Sequence, residues 1–249
     1  MTLRFGTSGL RGLVSELRGP PARTYTIAFA RMLLGRGVLS EGDKILVGRD
    51  LRSSSPEIAG IVHAAIAEAG LVPVDCGTLP TPALALYATG KSAPAIMVTG
   101  SHIPDDRNGL KFYRADGEID KRDELEIVAI HAGLQAANRP EPSVEPVQLG
   151  SEPSAGYRAH FLGFFQPDSL SGLRVGVYQH SSVARDIIVD MLCALGAEAV
   201  PLGRSAHFIP VDTEAVSPDT LEKLKAWAPE HGLDAIVSAD GDGDRPLLA

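Results

Sequence analysis

A chain of 249 residues that is 44% hydrophobic holds material for one large domain or two ordinary ones. Its net charge of −8, with no run of Lys/Arg, argues against a nucleic-acid footprint, while a few local cations could still hold a small anion. The apolar runs are far too short to span a membrane, and Met1-Thr2-Leu3-Arg4 does not open a signal peptide. Cys76 and Cys193 lie far apart without metal spacing, so they read as reduced core residues of a cytoplasmic protein.

Leu3 to Phe5 reads as a short strand delivering a glycine loop, Gly6–Gly12, with Thr7, Ser8 and Arg11 among its glycines. Taken alone, Arg11 reads equally well as a surface cation. Pro20-Pro21 opens a helix to about Gly35, with Ile27, Ala30, Met32 and Leu34 among its apolar positions. Lys44–Val47 is a strand. Ser54 with Glu57 suggests a capping box for the next helix, with Pro56 in its first turn and Gly70 as its stop. Ile58, Ile61, Val62, Ala65, Ile66 and Ala69 follow the 3.6-residue period on its buried face, and His63 reads as a packing or surface residue. Leu71–Val74 is a strand, and Pro80-Thr81-Pro82 starts a helix over Ala83–Thr89 that Gly90 ends.

Ala95–Val98 is a short apolar run of the kind that forms a buried strand, followed by a loop containing Thr99-Gly100-Ser101-His102-Ile103-Pro104. A serine between Gly100 and His102, just past a strand, sits where open α/β sheets place their ligands. Asn108-Gly109 reads as a turn that admits close backbone approach, and Lys111 as a point charge for a phosphate oxygen. The bland alternative is a polar loop followed by a hairpin turn. Leu110–Tyr113 continues as a strand, Arg114–Gly117 turns the chain back, and a helix over Arg122–Ala137 completes a β/α domain.

Three prolines in Arg139–Pro146 forbid a helix and mark a linker. Tyr157–Phe165 reads as an aromatic-rich helix packing two domains together; without interleaved basic residues it is no nucleic-acid surface. A second β/α rhythm follows: strand Arg174–Tyr178, helix Ala184–Leu195 stopped by Gly196, strand Glu198–Pro201, helix Pro218–Trp227 and strand Ala235–Ser238. That spacing implies parallel pairing with right-handed crossovers. The expected class is α/β: two consecutive β/α domains with mixed, mainly parallel sheets, over 1–138 and 153–249, joined by a linker at 139–152.

The last strand runs into Asp240-Gly241-Asp242-Gly243-Asp244-Arg245. Three carboxylates at i, i+2 and i+4 on a glycine-freed loop can converge on one hard cation, and Mg²⁺ often adds a phosphate oxygen to its protein ligands. An EF-hand needs glycine at the sixth position, where this chain has Arg245. An aspartyl-phosphate loop would want Thr or Val in place of Asp244 and a nucleophile that nothing here supports.

These loops, in this order, resemble the phosphohexomutase family (phosphomannomutases, phosphoglucomutases and phosphoglucosamine mutases). Its members carry a Ser-Gly-x-Arg-Gly loop, a Thr-x-Ser-His-x-Pro loop with a phosphoserine, and an Asp-Gly-Asp-x-Asp-Arg metal loop, matched here from Ser8, Thr99 and Asp240. The resemblance covers essentially the whole chain. Ile103 departs from it, since the family has asparagine there, which touches a loop hydrogen bond rather than the chemistry. The resemblance implies phosphoglucomutase-type domains I and II and an intramolecular phosphotransferase, an isomerase. Ser101 would carry the phosphoryl group, and Ser101, Asp240, Asp242 and Asp244 would hold Mg²⁺. Lys111, Arg11 and Arg245 would stabilise the spread charge, while His102 would assist proton transfer or orient the loop. Its partners would be hexose phosphates and a hexose 1,6-bisphosphate, with mannose phosphates expected ahead of glucosamine or glucose phosphates. A non-catalytic sugar-phosphate-binding paralogue is the rival. No NAD fingerprint or Walker loop occurs, so no nucleotide cofactor is expected. Family members usually have four domains. The chain is therefore expected to be a fragment that folds without turnover, its Pro246–Ala249 segment left without pairing partners; the resemblance leaves oligomeric state open.

Overall fold

The computed structural model describes residues 3–6, 9–134 and 144–249. Its first strands, β1 (Arg4–Gly6) and β2 (Gly9–Leu13), pair antiparallel as a hairpin. The expected Gly6–Gly12 loop is thus mostly strand, and only Thr7 and Ser8, which lie outside the described residues, separate its arms. A single turn, α1 (Val14–Leu17), leads to α2 (Pro20–Gly35), the helix that Pro20-Pro21 announced.

The core of the first domain follows from period-two alternation in β3 (Lys44–Arg49), β4 (Val72–Thr78), β5 (Ala95–Val98) and β6 (Arg107–Arg114). Ile45, Val47, Ile96, Val98, Leu110 and Phe112 point to one face, where α2, α3 (Ser55–Glu68) and α5 (Lys121–Ala132) cover them. Leu46, Val74, Ala95, Met97 and Tyr113 point to the other, against α4 (Thr81–Gly90). The strands are therefore buried on both sides of a three-layer stack, as continuous apolar runs require. The sheet runs β1-β2-β6-β5-β3-β4 and ends on β8 (Val147–Gln148), with the short β7 (Gly117–Glu118) folded back on β6. Pairing is parallel among β5, β3, β4 and β8 and antiparallel from β5 through β6 and β2 to β1.

β3 is followed by α3 and β4 on one side, and then by α4 and β5 on the other. The two crossovers use opposite faces, so the loops after β3 and β5 leave the sheet side by side at a switch point. The second domain repeats the device. β9 (Arg174–Tyr178), α7 (Arg185–Ala194), β10 (Glu198–Leu202), α8 (Pro218–His231) and β11 (Ala235–Ala239) give the order β10-β9-β11, with both pairs parallel. The loops after β9 and β11 leave together, and the Val183 N–H donates to the Gly241 carbonyl between them.

Several local expectations change in context. Ser54 and Glu57 form no capping box: the Ser54 hydroxyl accepts from Asn108 at 2.9 Å, and Glu57 pairs with Arg18 at 3.0 Å. Asn108-Gly109 is not a turn but the start of β6, where it pairs with β2. The close approach expected of Gly109 does exist, since a Cβ there would lie 2.5 Å from the Leu10 carbonyl oxygen and 2.9 Å from that of Thr99. Gly109→Ala is accordingly expected to cost about 1–3 kcal/mol, as overpacking usually does, which a urea titration of the variant would read.

The helix expected over Arg122–Ala137 is α5, capped by Asp120 and Asp123, each side chain accepting from the other's end of the turn. Residues 135–137 lie outside the described residues, as does most of the Pro-rich linker. The end of that linker returns to the first sheet as β8. As expected, α6 (Glu152–Leu162) packs against both domains: Tyr157 lies on the first domain's core and Arg158 pairs with Asp190 of α7 at 3.1 Å, whereas Phe164 and Phe165 beyond the helix are 71% and 52% exposed and take no part. α8 runs to His231, through Pro229, to a left-handed Gly232. Cys76 is buried, but Cys193 is exposed, so only the first is a core residue. Pro246–Ala249 does not hang unpaired: β12 (Pro246–Leu248) pairs antiparallel with β11, and Ala249 exchanges backbone bonds with Ile236. Among the described residues no helix is long and apolar enough to cross a membrane.

Candidate active site

The two switch points face one another, and the serine loop of one meets the carboxylate loop of the other. Ser101 Oγ donates to Asp240 Oδ2 at 2.6 Å, joining residues 139 apart in sequence. One carboxylate oxygen from each of Asp240, Asp242 and Asp244 lies within 4.8 Å of the others. Asp240 and Asp242 are buried, and Asp242 Oδ1 has no hydrogen-bond partner. A buried carboxylate oxygen without a donor, beside two more carboxylates, is the donor set a hard divalent cation selects. The residues fit such an ion.

Burial, reinforced by the neighbouring Asp242 charge, pushes the Asp240 carboxyl up to about 7. Burial works on Asp242 in the same sense, but the Lys111 ammonium and hydrogen bonds from Lys111 and Thr81 outweigh it and hold Asp242 below the usual range. Lys111 Nζ lies 2.8 Å from Asp242 Oδ2 and 2.6 Å from Asp244 Oδ2. Burial lowers the affinity of Lys111 for its proton, yet the two carboxylates prevail and raise it. Two carboxylates have thus captured the cation expected to face phosphate.

Arg245 Nη1 lies 2.9 Å from His102 Nδ1 and 3.0 Å from Glu214 Oε2. A guanidinium can only donate, so His102 Nδ1 is an acceptor here and its ring hydrogen sits on Nε2. Ser101 Oγ is 3.4 Å from the same Nδ1. Arg11 lies on β2 and, with Lys111, Tyr113, Glu118, Asp244 and Arg245, lines a cleft of about 170 Å³ beside the carboxylates. All the site residues expected from the motifs therefore surround one place.

Others carried no local signal. Thr81, opening α4, donates to Asp242 Oδ2 at 2.5 Å, and its N–H donates to the Asp242 carbonyl at 2.8 Å, tying the carboxylate loop to the first domain. Asp50 and Arg52, in the loop after β3, are buried beneath the serine loop. Only their position directly after a strand hinted at them.

On the second domain's side, the buried His180 Nε2 bonds to the carbonyl of Ala239, the residue that leads into the carboxylates. Burial pushes this imidazole down to about 4. Its folded value lies below the unfolded one near 6.5, so its contribution to stability is complete above pH 6.5 and is lost as pH falls toward 4. A shift of that size corresponds to about 3 kcal/mol. His180→Gln is expected to flatten the acid limb of the melting temperature against pH between those values.

Residues 2–137 match the family description "Phosphoglucomutase/phosphomannomutase, alpha/beta/alpha domain I", and residues 155–249 match its domain II. A phosphomannomutase of Sinorhizobium fredii is 54% identical over 98% of this chain and 52% of its own length. One from Salmonella muenchen is 42% identical over 99% of the chain and 50% of its own length. A putative phosphomannomutase from Thermus thermophilus superposes with a TM-score of 0.81 at 24% identity, over the whole chain and 57% of its own. The chain thus spans about half the length of the curated relatives it matches.

Proposed function

The chain belongs to the phosphoglucomutase/phosphomannomutase family, and from that premise we propose that it carries the phosphoserine and metal centre of a phosphomannomutase. The observation that carries this reading is Ser101 Oγ at 2.6 Å from Asp240, against a trio of carboxylates contributed by the other domain. The names of the relatives at 54% and 42% identity favour mannose phosphates over the glucosamine phosphates of phosphoglucosamine mutases, which match at about 31%.

In the proposed cycle Ser101 carries a phosphoryl group. A hydroxyl of a hexose monophosphate attacks the phosphorus, the new sugar O–P bond forms as the Ser101 Oγ–P bond breaks, and the hydroxyl's proton passes through solvent to the freed Ser101 Oγ. The resulting 1,6-bisphosphate turns round, and a new Ser101 Oγ–P bond to its other phosphoryl group forms as that sugar O–P bond breaks, the proton of the Ser101 hydroxyl passing to the freed sugar oxygen. Such transfer relies on positioning and charge neutralisation more than on covalent help. Ser101, Asp240, Asp242 and Asp244 would hold Mg²⁺, which when bound supplies a positive charge to a phosphoryl oxygen. Arg11 and Arg245, on the wall of the cleft, would meet the phosphate oxygens. With the carboxylates otherwise satisfied, Lys111 would be free to swing toward the same oxygens. His102, its Nδ1 held by Arg245, orients the loop, with Nε2–H left as a donor.

The proposed cycle uses no nucleotide, and the free, buried Cys76 is in keeping with a cytoplasmic setting. Substrates and turnover of the whole protein are part of the same proposal. It is tested by incubating the chain with Mg²⁺ and mannose or glucose 1,6-bisphosphate and measuring intact mass. Addition of one phosphate, mapped to Ser101, is the expected result; phosphate absent or on another residue would overturn the reading. Interconversion of mannose 1-phosphate and mannose 6-phosphate is then assayed on the same preparation.

A further inference from the structure

Ser101 holds an unusual backbone. Its φ of +52° is left-handed, a region that a residue with a side chain occupies only when its surroundings impose it. Both of its peptide groups are held by buried side chains, one from two residues back in the same loop and one from the loop after β3. The Ser101 N–H donates to Thr99 Oγ1 at 2.8 Å, and that hydroxyl donates to Asp50 Oδ2 at 2.8 Å. The Ser101 carbonyl accepts from Arg52 Nη2 at 2.9 Å.

Arg52 does more than hold one carbonyl. The same Nη2 reaches the Ile103 carbonyl at 2.6 Å, and Nη1 reaches those of Pro104 at 2.8 Å and Arg107 at 3.0 Å. Its Nε lies 3.2 Å from Asp50 Oδ2, and the side chain is fully buried. Four carbonyls of a single loop thus turn inward onto one planar fork, a geometry an ammonium cannot reproduce. The contact at position 103 is made by backbone, so isoleucine there leaves it intact.

The other face of the fork is covered by the second domain. Phe208, in the loop after β10, lies with its ring centre 3.9 Å from the Arg52 guanidinium carbon, within cation–π range. Gly241 fits between: a Cβ there would lie 2.7 Å from the Ser101 carbonyl oxygen and 2.9 Å from the Phe208 ring. The guanidinium therefore touches the curl of the serine loop on one side and the second domain on the other.

We propose that Arg52 is the positioning residue of the serine loop, coupling the left-handed conformation of Ser101 to contact with Phe208 of the second domain. The inference rests on the phosphoserine reading for its catalytic consequence and on the hydrogen bonds alone for its structural one. Arg52 touches no reacting atom. It keeps Ser101 Oγ aimed at the carboxylates, so its loss displaces the nucleophile without removing any group that reacts.

The test uses Arg52→Lys, which keeps the charge and loses the fork, and Phe208→Leu, which keeps an apolar contact on a half-buried site and loses the ring. Amide hydrogen exchange of the 99–107 segment is measured in each, and so is the rate of Ser101 phosphorylation by hexose 1,6-bisphosphate. For Arg52→Lys, exchange of this segment is expected to quicken by about tenfold or more. The maximal phosphorylation rate is expected to fall about 100-fold, the usual consequence of an ångström-scale misplacement. The bisphosphate concentration giving half the maximal rate should stay unchanged, and the affinity for Mn²⁺ as a probe metal should fall far less than the rate, because the three carboxylates that would hold it are untouched. Phe208→Leu should show the same pattern in smaller degree with an unaltered melting temperature, so a folding failure of the first variant does not decide the matter. Wild-type exchange in the segment for both variants would overturn the proposal whatever the phosphorylation result. A wild-type chain that takes no phosphate would overturn the proposed function instead, while the exchange measurements still decide the role of Arg52.

Discussion

Ser101→Ala is expected to leave a folded chain that takes up no phosphate. A serine that acts as nucleophile within a preorganised unit typically carries on the order of 10⁶-fold in rate, so incorporation should fall below detection by intact mass. The stability change should be small by comparison. The substitution removes the hydrogen bond from Oγ to Asp240 at 2.6 Å, but Asp240 keeps the N–H groups of Asp244 and Arg245 at 3.2 and 3.3 Å. A lost hydrogen bond of this kind is worth about 1 kcal/mol, somewhat more for a charged acceptor. Ser101→Gly separates the two roles of the residue. It lacks the nucleophile too, but it accepts the left-handed φ without strain, so it should match the alanine variant in phosphorylation and exceed it in melting temperature. Phosphate appearing on either variant at the wild-type rate would remove Ser101 from the chemistry.

Lys111→Met is expected to give the largest stability change. Without a divalent cation, Lys111 neutralises Asp242, whose side chain is fully buried, and also reaches Asp244. Methionine fills much of the same stem volume and leaves the carboxylates facing one another. Removing one partner of a buried pair costs about 3–5 kcal/mol, and for a chain of this size each kcal/mol moves the melting temperature by roughly 2–4 °C. The variant should therefore melt roughly 6–20 °C below the parent in EDTA. A divalent cation should recover much of the difference, since an ion at about 100 times its dissociation constant returns about 2.7 kcal/mol. The parent, whose lysine already occupies the carboxylates, should gain less from the same ion. Equal melting temperatures for the two chains in EDTA would show that the ion pair contributes nothing, and an equal response to Mg²⁺ would argue against the carboxylates as its site.

The two domains and their rhythm could be read from local chemistry. β5 and β9 lie at the boundaries that their apolar runs suggested, and α2 begins at the prolines that announced it, because period, turn residues and caps act over a few positions. The serine and carboxylate loops were visible for the same reason: each is a short run of glycines with hydroxyl or charged groups directly after an apolar strand, whereas the glycines from Gly6 to Gly12 proved to lie mostly in a strand hairpin.

Tertiary structure decided which groups those loops would meet. Asn108-Gly109 has the chemistry of a turn but pairs with β2, because an extended partner outweighs a local turn preference. Ser54 has the spacing of a capping residue, but its hydroxyl accepts from Asn108. Arg52 looks like any arginine after a strand, yet the loop carbonyls it gathers lie 49 to 55 residues further along. Thr81 looks like the start of a helix and proves to hold Asp242 from 161 residues away. A sequence reveals which side chains can donate, accept or carry charge. Whether a buried arginine finds four carbonyls, or a carboxylate a lysine, depends on how crossover handedness brings distant strand ends together, and that is a property of the folded chain as a whole.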